Sequence, residues 1–458
     1  MPSYLMPLAL LPDGWVENVR IETTQAGDIA ALASGAVANG AETIAGIVVP
    51  GMVDVHCHAF QRAMAGLAER AGPDGDNFWS WREVMYRFLA RLSPDDVEAI
   101  AAQLYVELLK QGYTTVAEFH YLHNDPDGNP YAEPAELAER ILAAAGASGI
   151  GLTLLPVLYQ SSNFGVHPPT PGQRRFVMTT ERFNVLVERL VRRHRRDRQV
   201  RVGVAPHSLR AVPPIALNES VAALTALDDT APVHIHAAEQ TKEVDDCLAW
   251  SGKRPVEWLV EHANIDRRWC LVHCTHMSDA ETAALAASGA VAGLCPTTEA
   301  NLGDGLFPLP AYLSAGGRFA IGTDANVATS PVEEMRWLEY AQRLSARARN
   351  RTEKVVGAST GAYLFRRALA GGTQAAGRAV GEIAVGRRAD FVVLDGEHPS
   401  LVGRRGDQIL DSWIFSGNST PVRDVMVGGQ WLVREGTHVH EEQAAAAYRR
   451  VVKKLVEA

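Results

Sequence analysis

The stretch VPGMVDVHCHAFQRAMAG, residues 49–66, places His56 and His58 two apart at the end of an apolar run. Successive residues of a strand face opposite ways, so these two imidazoles aim to one side and Cys57 to the other. Such a pair is half of a divalent-metal site, but it is also a short string that closes many ordinary strands. Two further stretches decide the matter. HIHAAE carries His236 and Glu239, and GTDAN carries Asp324, each at the close of another apolar run. Three imidazoles and a carboxylate, His56, His58, His236 and Asp324, form the donor set of a catalytic metal, and such a shell accepts zinc or iron. His234 shares a face with His236 but lies two residues deeper, roughly 6–7 Å by strand rise, and is assigned to packing.

These residues reach one place only if the fold brings them there. Eight short apolar runs recur between residues 50 and 325: MVDVHCH (52–58), YTTVAEFH (113–120), GLTLLPVLY (151–159), VRVGVAPH (200–207), APVHIHAAE (231–239), WCLVHC (269–274), AVAGLCP (290–296) and RFAIGTD (318–324). A longer segment with helical spacing follows each, so the expected fold is α/β, a (β/α)8 barrel over residues 50–378. His56, His58, Glu118, His120, His207, His236, Glu239, His273 and Asp324 then stand at the C-terminal ends of their strands, the face that carries active sites in such barrels. Alternating runs near both ends, such as GEIAVGRRADFVVLD and VRDVMVGGQWLVREG, read as hairpins. Residues 1–49 and 379–458 are therefore expected to form a small β-sandwich domain, closed by a C-terminal helix.

The 458 residues suffice for such a pair of domains, and 47% hydrophobic against 21% charged residues is a globular composition. A net charge of −9 disfavours nucleic acid and anionic membranes as partners. The basic run RLVRRHRRDRQVR (189–201) adjoins apolar helical spacing and reads as a solvated helix face. Five cysteines without CxxC spacing indicate a reducing compartment. The apolar start MPSYLMPLALLP holds three prolines and no basic residue, so no leader or membrane span is expected and the location is expected to be cytoplasmic.

With these motifs in hand, PGMVDVHCH, a strand-five His followed three residues on by Glu, a strand-six His and the strand-eight Asp resemble the amidohydrolase superfamily. GEIAVGRRADFVVLD resembles its C-terminal β-sandwich signature, and the resemblance covers nearly the whole chain. Some members hold two metals bridged by a carboxylated lysine, usually on strand four. None of the six lysines here lies on predicted strand three or four, which implies a site for one divalent metal of the deaminase type. The metal lowers the pKa of its water from 15.7 toward about 7. The resemblance implies that Asp324 accepts that water's proton, that His273 orients the nucleophile and shares the work of base, and that Glu239 delivers a proton to the nitrogen under attack.

Longer segments narrow the family. HAFQRAMAGLAER, FWSWREVMYRF, GYTTVAEFHYLH, LLPVLYQSSNFG with GQRRF, PHSLRAV, HIHAAEQTKEV, GLCPTTEANLGDGLFP and EEMRWLEYAQRL are similar to the formimidoylglutamate deiminase family. Its members convert N-formimino-L-glutamate and water to N-formyl-L-glutamate and ammonia in histidine degradation, and the resemblance also implies a homodimer. A small dianionic substrate needs two separate clamps, and a planar guanidinium bonds both oxygens of a carboxylate. Arg82 and Arg210 are the expected anchors. Gln61 and Tyr121, with Arg82 in loops after strands one and two, and His207 after strand four complete the hydrogen bonds. Arg174 and Arg175 are expected at most to shape a lid, and Glu118 and His120 to stand behind the ligands. Cys57, between two ligands, is an expected point of attack for thiol reagents. Two alternatives stand beside this: a deaminase of a flat ring, which would favour aromatic stacking over two arginines, and a silent scaffold, which would have lost its ligands.

Overall fold

Each of the eight runs is a strand in the computed structural model, which describes residues 1–71, 76–353 and 355–457. They are β1 (Met52–Cys57), β2 (Tyr113–His120), β3 (Gly151–Leu158), β4 (Val200–Val202, resumed at Ala205–Pro206), β5 (Val233–Ala237), β6 (Trp269–His273), β7 (Val291–Leu294) and β8 (Arg318–Ile321). Neighbours pair in parallel from β1 to β4 and from β5 to β8. Bridges Val204–Val233 and Ser208–His236 join the two arcs, and Cys57–Asp324 closes the ring at its C-terminal rim. The result is a (β/α)8 barrel. Helices cover the outside, so every residue of β1, β2, β3 and β5 is buried, which is why these strands read as continuous apolar runs.

The connection from β1 to β2 holds two helices, α1 (Phe78–Leu89) and α2 (Pro94–Gln111). Asn77 caps α1 by accepting from the N–H of Trp79. At α2, Ser93 and Asp96 exchange side-chain and backbone bonds in a capping box, and Gly112 ends the helix in the left-handed conformation. The basic run falls on the helix Thr180–His194, which buries Phe183, Leu186, Val187 and Leu190; Arg189, Arg192 and Arg193 pair outside with Glu133, Glu188 and Glu139.

Nine strands from the two ends of the chain make a second sheet. Ile47–Pro50 pairs with Ser3–Leu11 on one side and antiparallel with Phe391–Leu394 on the other. Trp431 meets Tyr4 with ring centroids 5.8 Å apart although three strands separate theirs in the sheet, so the sheet folds over on itself as a sandwich. Met6, Val19, Ile21, Val48, Phe391 and Met426 fill it. Two helices of the C-terminal segment pack on the barrel side. Gln408–Phe415 lies against the helices Pro331–Ala346 and Thr360–Ala376, and Glu441–Glu457 lies along α2, tied by Lys454 to Asp96 at 2.7 Å. The five described lysines all lie off the barrel strands, and Lys354 lies outside the described residues. Among the described residues, no helix is long and apolar enough to cross a membrane.

Candidate active site

The backbone turns sharply where the strands end. Ala238, His273, Cys274 and Asp324 have φ of 50°, 69°, 51° and 50°, left-handed values that cost a non-glycine residue about 1–3 kcal/mol. Hydrogen bonds hold the turn after β8 in place: Asp324 N–H donates to His56 O at 2.8 Å, and His58 N–H donates to Asp324 O at 3.1 Å. Asn326 Nδ2 donates to both His58 O and Asp324 O, at 3.0 and 2.9 Å. One layer below, the buried Asp54 carboxylate accepts from the N–H groups of His56 and Thr323 at 3.2 and 3.1 Å. Two distant strands are thereby fixed so that their side chains lean over the mouth.

The His236 and His56 Nε2 atoms lie 3.0 Å apart, and His58 Nε2 lies 3.3 Å from Asp324 Oδ1. The second nitrogens settle the tautomers. His58 Nδ1 is 2.9 Å from Phe119 O and His236 Nδ1 is 3.0 Å from His207 O; a carbonyl only accepts, so each Nδ1 carries the proton and each Nε2 presents a lone pair. A bare nitrogen facing a carboxylate oxygen at 3.3 Å is two acceptors in opposition, an arrangement that a cation between them resolves. Burial holds all three imidazoles below their ordinary pKa, His58 at about 3, so they are neutral ligands. Burial raises the Asp324 carboxyl, but hydrogen bonding with His56 and the surrounding imidazoles outweigh it and hold it well below the carboxylate range. The four residues fit a divalent metal.

His273 faces the same point, with Nε2 3.8 Å from Asp324 Oδ2 and 4.0 Å from Glu239 Oε1, and its Nδ1 is 3.3 Å from Glu299 Oε1. Burial would lower its pKa, but Glu239, Glu299 and Asp324 outweigh burial and raise it above the usual value. Burial raises Glu239 against the opposing pull of His273 and Arg210. Arg210, 6% exposed, is ion-paired to Glu239 at 3.2 Å and Glu243 at 3.6 Å. Gln61 Nε2 donates to the Tyr121 hydroxyl at 2.8 Å, and His207 Nδ1 is 3.0 Å from Ser208 Oγ. The Arg82 guanidinium lies over Trp79, 4.6 Å from the ring centre. Gln61, Arg82, Tyr121, His207 and Arg210 line one narrow cavity of about 60 Å³ together with His58, His236, Glu239, His273 and Asp324.

The sequence matches a model of the amidohydrolase family over residues 47–432, and a model of the formimidoylglutamate deiminase HutF N-terminal domain over residues 8–45. It is 55% identical over 457 residues to the formimidoylglutamate deiminase of Pseudomonas aeruginosa, covering 100% of each chain. The chain belongs to the amidohydrolase family, in its formimidoylglutamate deiminase branch. A 5-methylthioadenosine/S-adenosylhomocysteine deaminase of Natronomonas pharaonis is 28% identical over 93% of this chain and 91% of its own. Among solved structures, an amidohydrolase from Brucella melitensis superposes with a TM-score of 0.94 at 49% identity, covering 100% of both chains. The atrazine chlorohydrolase of Arthrobacter aurescens complexed with zinc gives 0.83 at 21% identity over 99% of this chain and 100% of that one, a likeness of fold.

For this amidohydrolase, several expectations need correction. Arg82 sits on α1 rather than in a loop. Strand parity on β2 sends Phe119 into the barrel, where its ring packs on His56, His58 and His236, so Glu118 and His120 face the helical layer. Glu118 still supports β1, accepting from Ala59 N–H at 2.9 Å and the Tyr105 hydroxyl at 3.1 Å, whereas His120 neighbours His123 and does not reach the cavity. Cys57 is fully buried and its thiol is pushed far up by burial, which shields it from the reagents expected to attack it. Arg175 is a buried strut donating to the carbonyls of Asn124 and Leu92, and Arg174 donates to Pro126 O, so neither faces the cavity. The sequence reading missed Asp54, two residues before His56, and Glu299, in the first turn of the helix after β7. Asp54 shares the strand parity of His56 and His58 one layer deeper, and Glu299 lies one helical turn beyond the end of β7. It also missed Tyr86 and Tyr159, whose types carry no comparable signal.

Proposed function

We propose that the chain hydrolyses N-formimino-L-glutamate to N-formyl-L-glutamate and ammonia, a step of histidine degradation at a non-peptide C–N bond. The observation that carries this is the presence of two arginines, Arg82 and Arg210, in the same cavity as His58, His236 and Asp324, behind which His56 completes the donor set. Aromatic rings such as Tyr86, Tyr121, Tyr159 and Phe176 line the cavity as well, but a neutral flat ring has no use for two guanidinium groups, whereas a dianion calls for both. The 55% identity to a formimidoylglutamate deiminase supports the same reading.

A divalent metal, Zn2+ in preference to Fe2+, held by these four residues would supply the Lewis acidity that makes water nucleophilic at neutral pH. Asp324 accepts the proton of the attacking water. His273, with Nε2 facing Asp324 and Glu239, orients that water and shares the work of base. Glu239, its pKa raised by burial to about 6, delivers a proton in its acid form to the imino nitrogen as the formimino carbon becomes tetrahedral. The proton held by Asp324 then passes to the amino group, the C–N bond breaks and ammonia leaves, while the hydroxyl proton goes to Glu239 and the formyl group remains. Arg210 exchanges part of its pairing with Glu239 and Glu243 for a substrate carboxylate, Arg82 holds the other, and Gln61, Tyr121 and His207 bond the remaining polar atoms.

Ammonia release from N-formimino-L-glutamate by the purified, metal-loaded protein tests this reading. Deamination of a nucleobase without that release would refute the substrate and leave the metal site standing. Elemental analysis of protein grown without added metal decides between zinc and iron. Arg210→Met is expected to lower kcat/KM by about 10²-fold or more, the loss of a charge-assisted clamp, with metal content unchanged. A cytoplasmic homodimer acting on a small dianion, with no nucleic-acid or membrane partner, goes with this reading, and sedimentation of the intact protein tests the assembly.

A further inference from the structure

The loop after β3 stands behind the cavity wall and touches two of its lining tyrosines through one side chain. Gln173 is fully buried and ends a single 3-10 turn, Pro171–Gln173. The N–H of Thr170 donates to Gln173 Oε1 at 2.8 Å, which fixes the amide and leaves Nε2 facing the cavity wall. Nε2 lies 2.7 Å from the Tyr159 hydroxyl and 3.3 Å from the Tyr86 hydroxyl. An amide nitrogen only donates, so both phenolic oxygens accept from it and neither can return its own proton there. One proton can be shared between the two hydroxyls. At least one is left for whatever fills the cavity, which both tyrosines line beside Arg82, Arg210 and His207. Burial raises both phenols and keeps them protonated. The loop is seated closely: a Cβ on Gly172 would lie 2.5 Å from the Tyr86 ring, so the backbone of the turn rests directly against that ring.

We propose that Tyr159 and Tyr86 donate hydrogen bonds to a carboxylate of the substrate, and that Gln173 is the positioning residue that fixes their hydroxyls as donors. This rests on the deiminase reading and deepens it, because it makes the loop after β3 part of the selection for a dicarboxylate. Arginine alone attracts any anion. Donors whose lone pairs are already engaged by Gln173 admit an acceptor and reject a donor group at the same position, since a second donor would leave their protons unpaired.

The test measures kcat and KM for N-formimino-L-glutamate, and the calorimetric affinity for glutarate, in the metal-loaded holoenzyme and its variants. Tyr159→Phe keeps the ring and removes the proton; KM is expected to rise at least fivefold, toward the roughly tenfold cost of a lost hydrogen bond to a charged acceptor, with kcat changed less. Gln173→Met is expected to raise KM in the wild-type background and to add nothing in a Tyr86→Phe/Tyr159→Phe background, because it acts only through those hydroxyls. Metal content and Tm of each variant show that it is folded. A KM rise below fivefold for Tyr159→Phe overturns the proposal, as does a Gln173→Met effect of the same size in both backgrounds, which is what a packing role gives. Glutarate affinity reads the tyrosine contacts even where turnover of N-formimino-L-glutamate fails, so failure of the deiminase reading and failure of this proposal are told apart.

Discussion

His273 stands among three carboxylates, Asp324 and Glu239 before its Nε2 and Glu299 behind its Nδ1, and this setting divides the labour at the residue scale. Residues that hold a cation and residues that move a proton fail in different ways when replaced. His236→Asn is expected to lose metal, read by elemental analysis, and to lose activity with it. Glu239→Gln is expected to keep its metal while kcat falls by about 10²–10⁴, the usual contribution of a positioned acid. Equal metal loss in both variants would put Glu239 in the wrong role. The ligands were legible in the sequence because few residue types bind a metal and these stand where strands stop. Gln173, Tyr86 and Tyr159 were not, because glutamine and tyrosine serve many purposes and only the packing of a loop on a helix brings these three together. Strand parity explains the misplacement of His120: it counts correctly along β2, but which parity faces inward is decided by Phe119 filling the barrel mouth.

At the scale of elements, close approach decides what a helix tolerates. A Cβ on Gly371, in the helix Thr360–Ala376, would lie 1.9 Å from the carbonyl oxygen of Phe319 in β8. Gly371→Ala is expected to cost at least about 2 kcal/mol by overpacking. Gly146, in the helix Glu136–Ser148, has open space where its Cβ would go, and Gly146→Ala is expected to stabilise by about 0.5–1 kcal/mol. Urea midpoints of the two variants check both signs. The bond from Lys454 to Asp96 adds a pH dependence. Burial raises Asp96, but Lys454 and Ser93 outweigh it, so the folded pKa lies below the ordinary 3.8. The stabilisation is therefore complete above about pH 4 and is lost as pH falls through the folded value. Hydrogen exchange in the C-terminal helix is expected to quicken below that point in the wild type, and the difference from Asp96→Asn to shrink. The strands were legible because parallel strands buried on both faces leave unbroken apolar runs. That the helix Gln408–Phe415 packs on the barrel was not, since its own periodicity does not name its partner.

For the whole molecule, the expectation of a barrel beside a sandwich built from both chain ends rested on alternating runs at either terminus, and the pairing of Ile47–Pro50 with Phe391–Leu394 realises it. The barrel mouth is itself a long-range product: the Cys57–Asp324 bridge and the bonds of Asn326 to His58 O bring the first and last barrel strands together around the donor set. That pairing of the two ends has a consequence for biosynthesis. The partner of Ile47–Pro50 leaves the ribosome roughly 340 residues after it, which at 5–20 residues per second is a delay of about 20–70 s. Throughout translation of the barrel the first strands present an unpaired edge, the kind of surface that chaperones cover and that neighbouring nascent chains on the same message can capture.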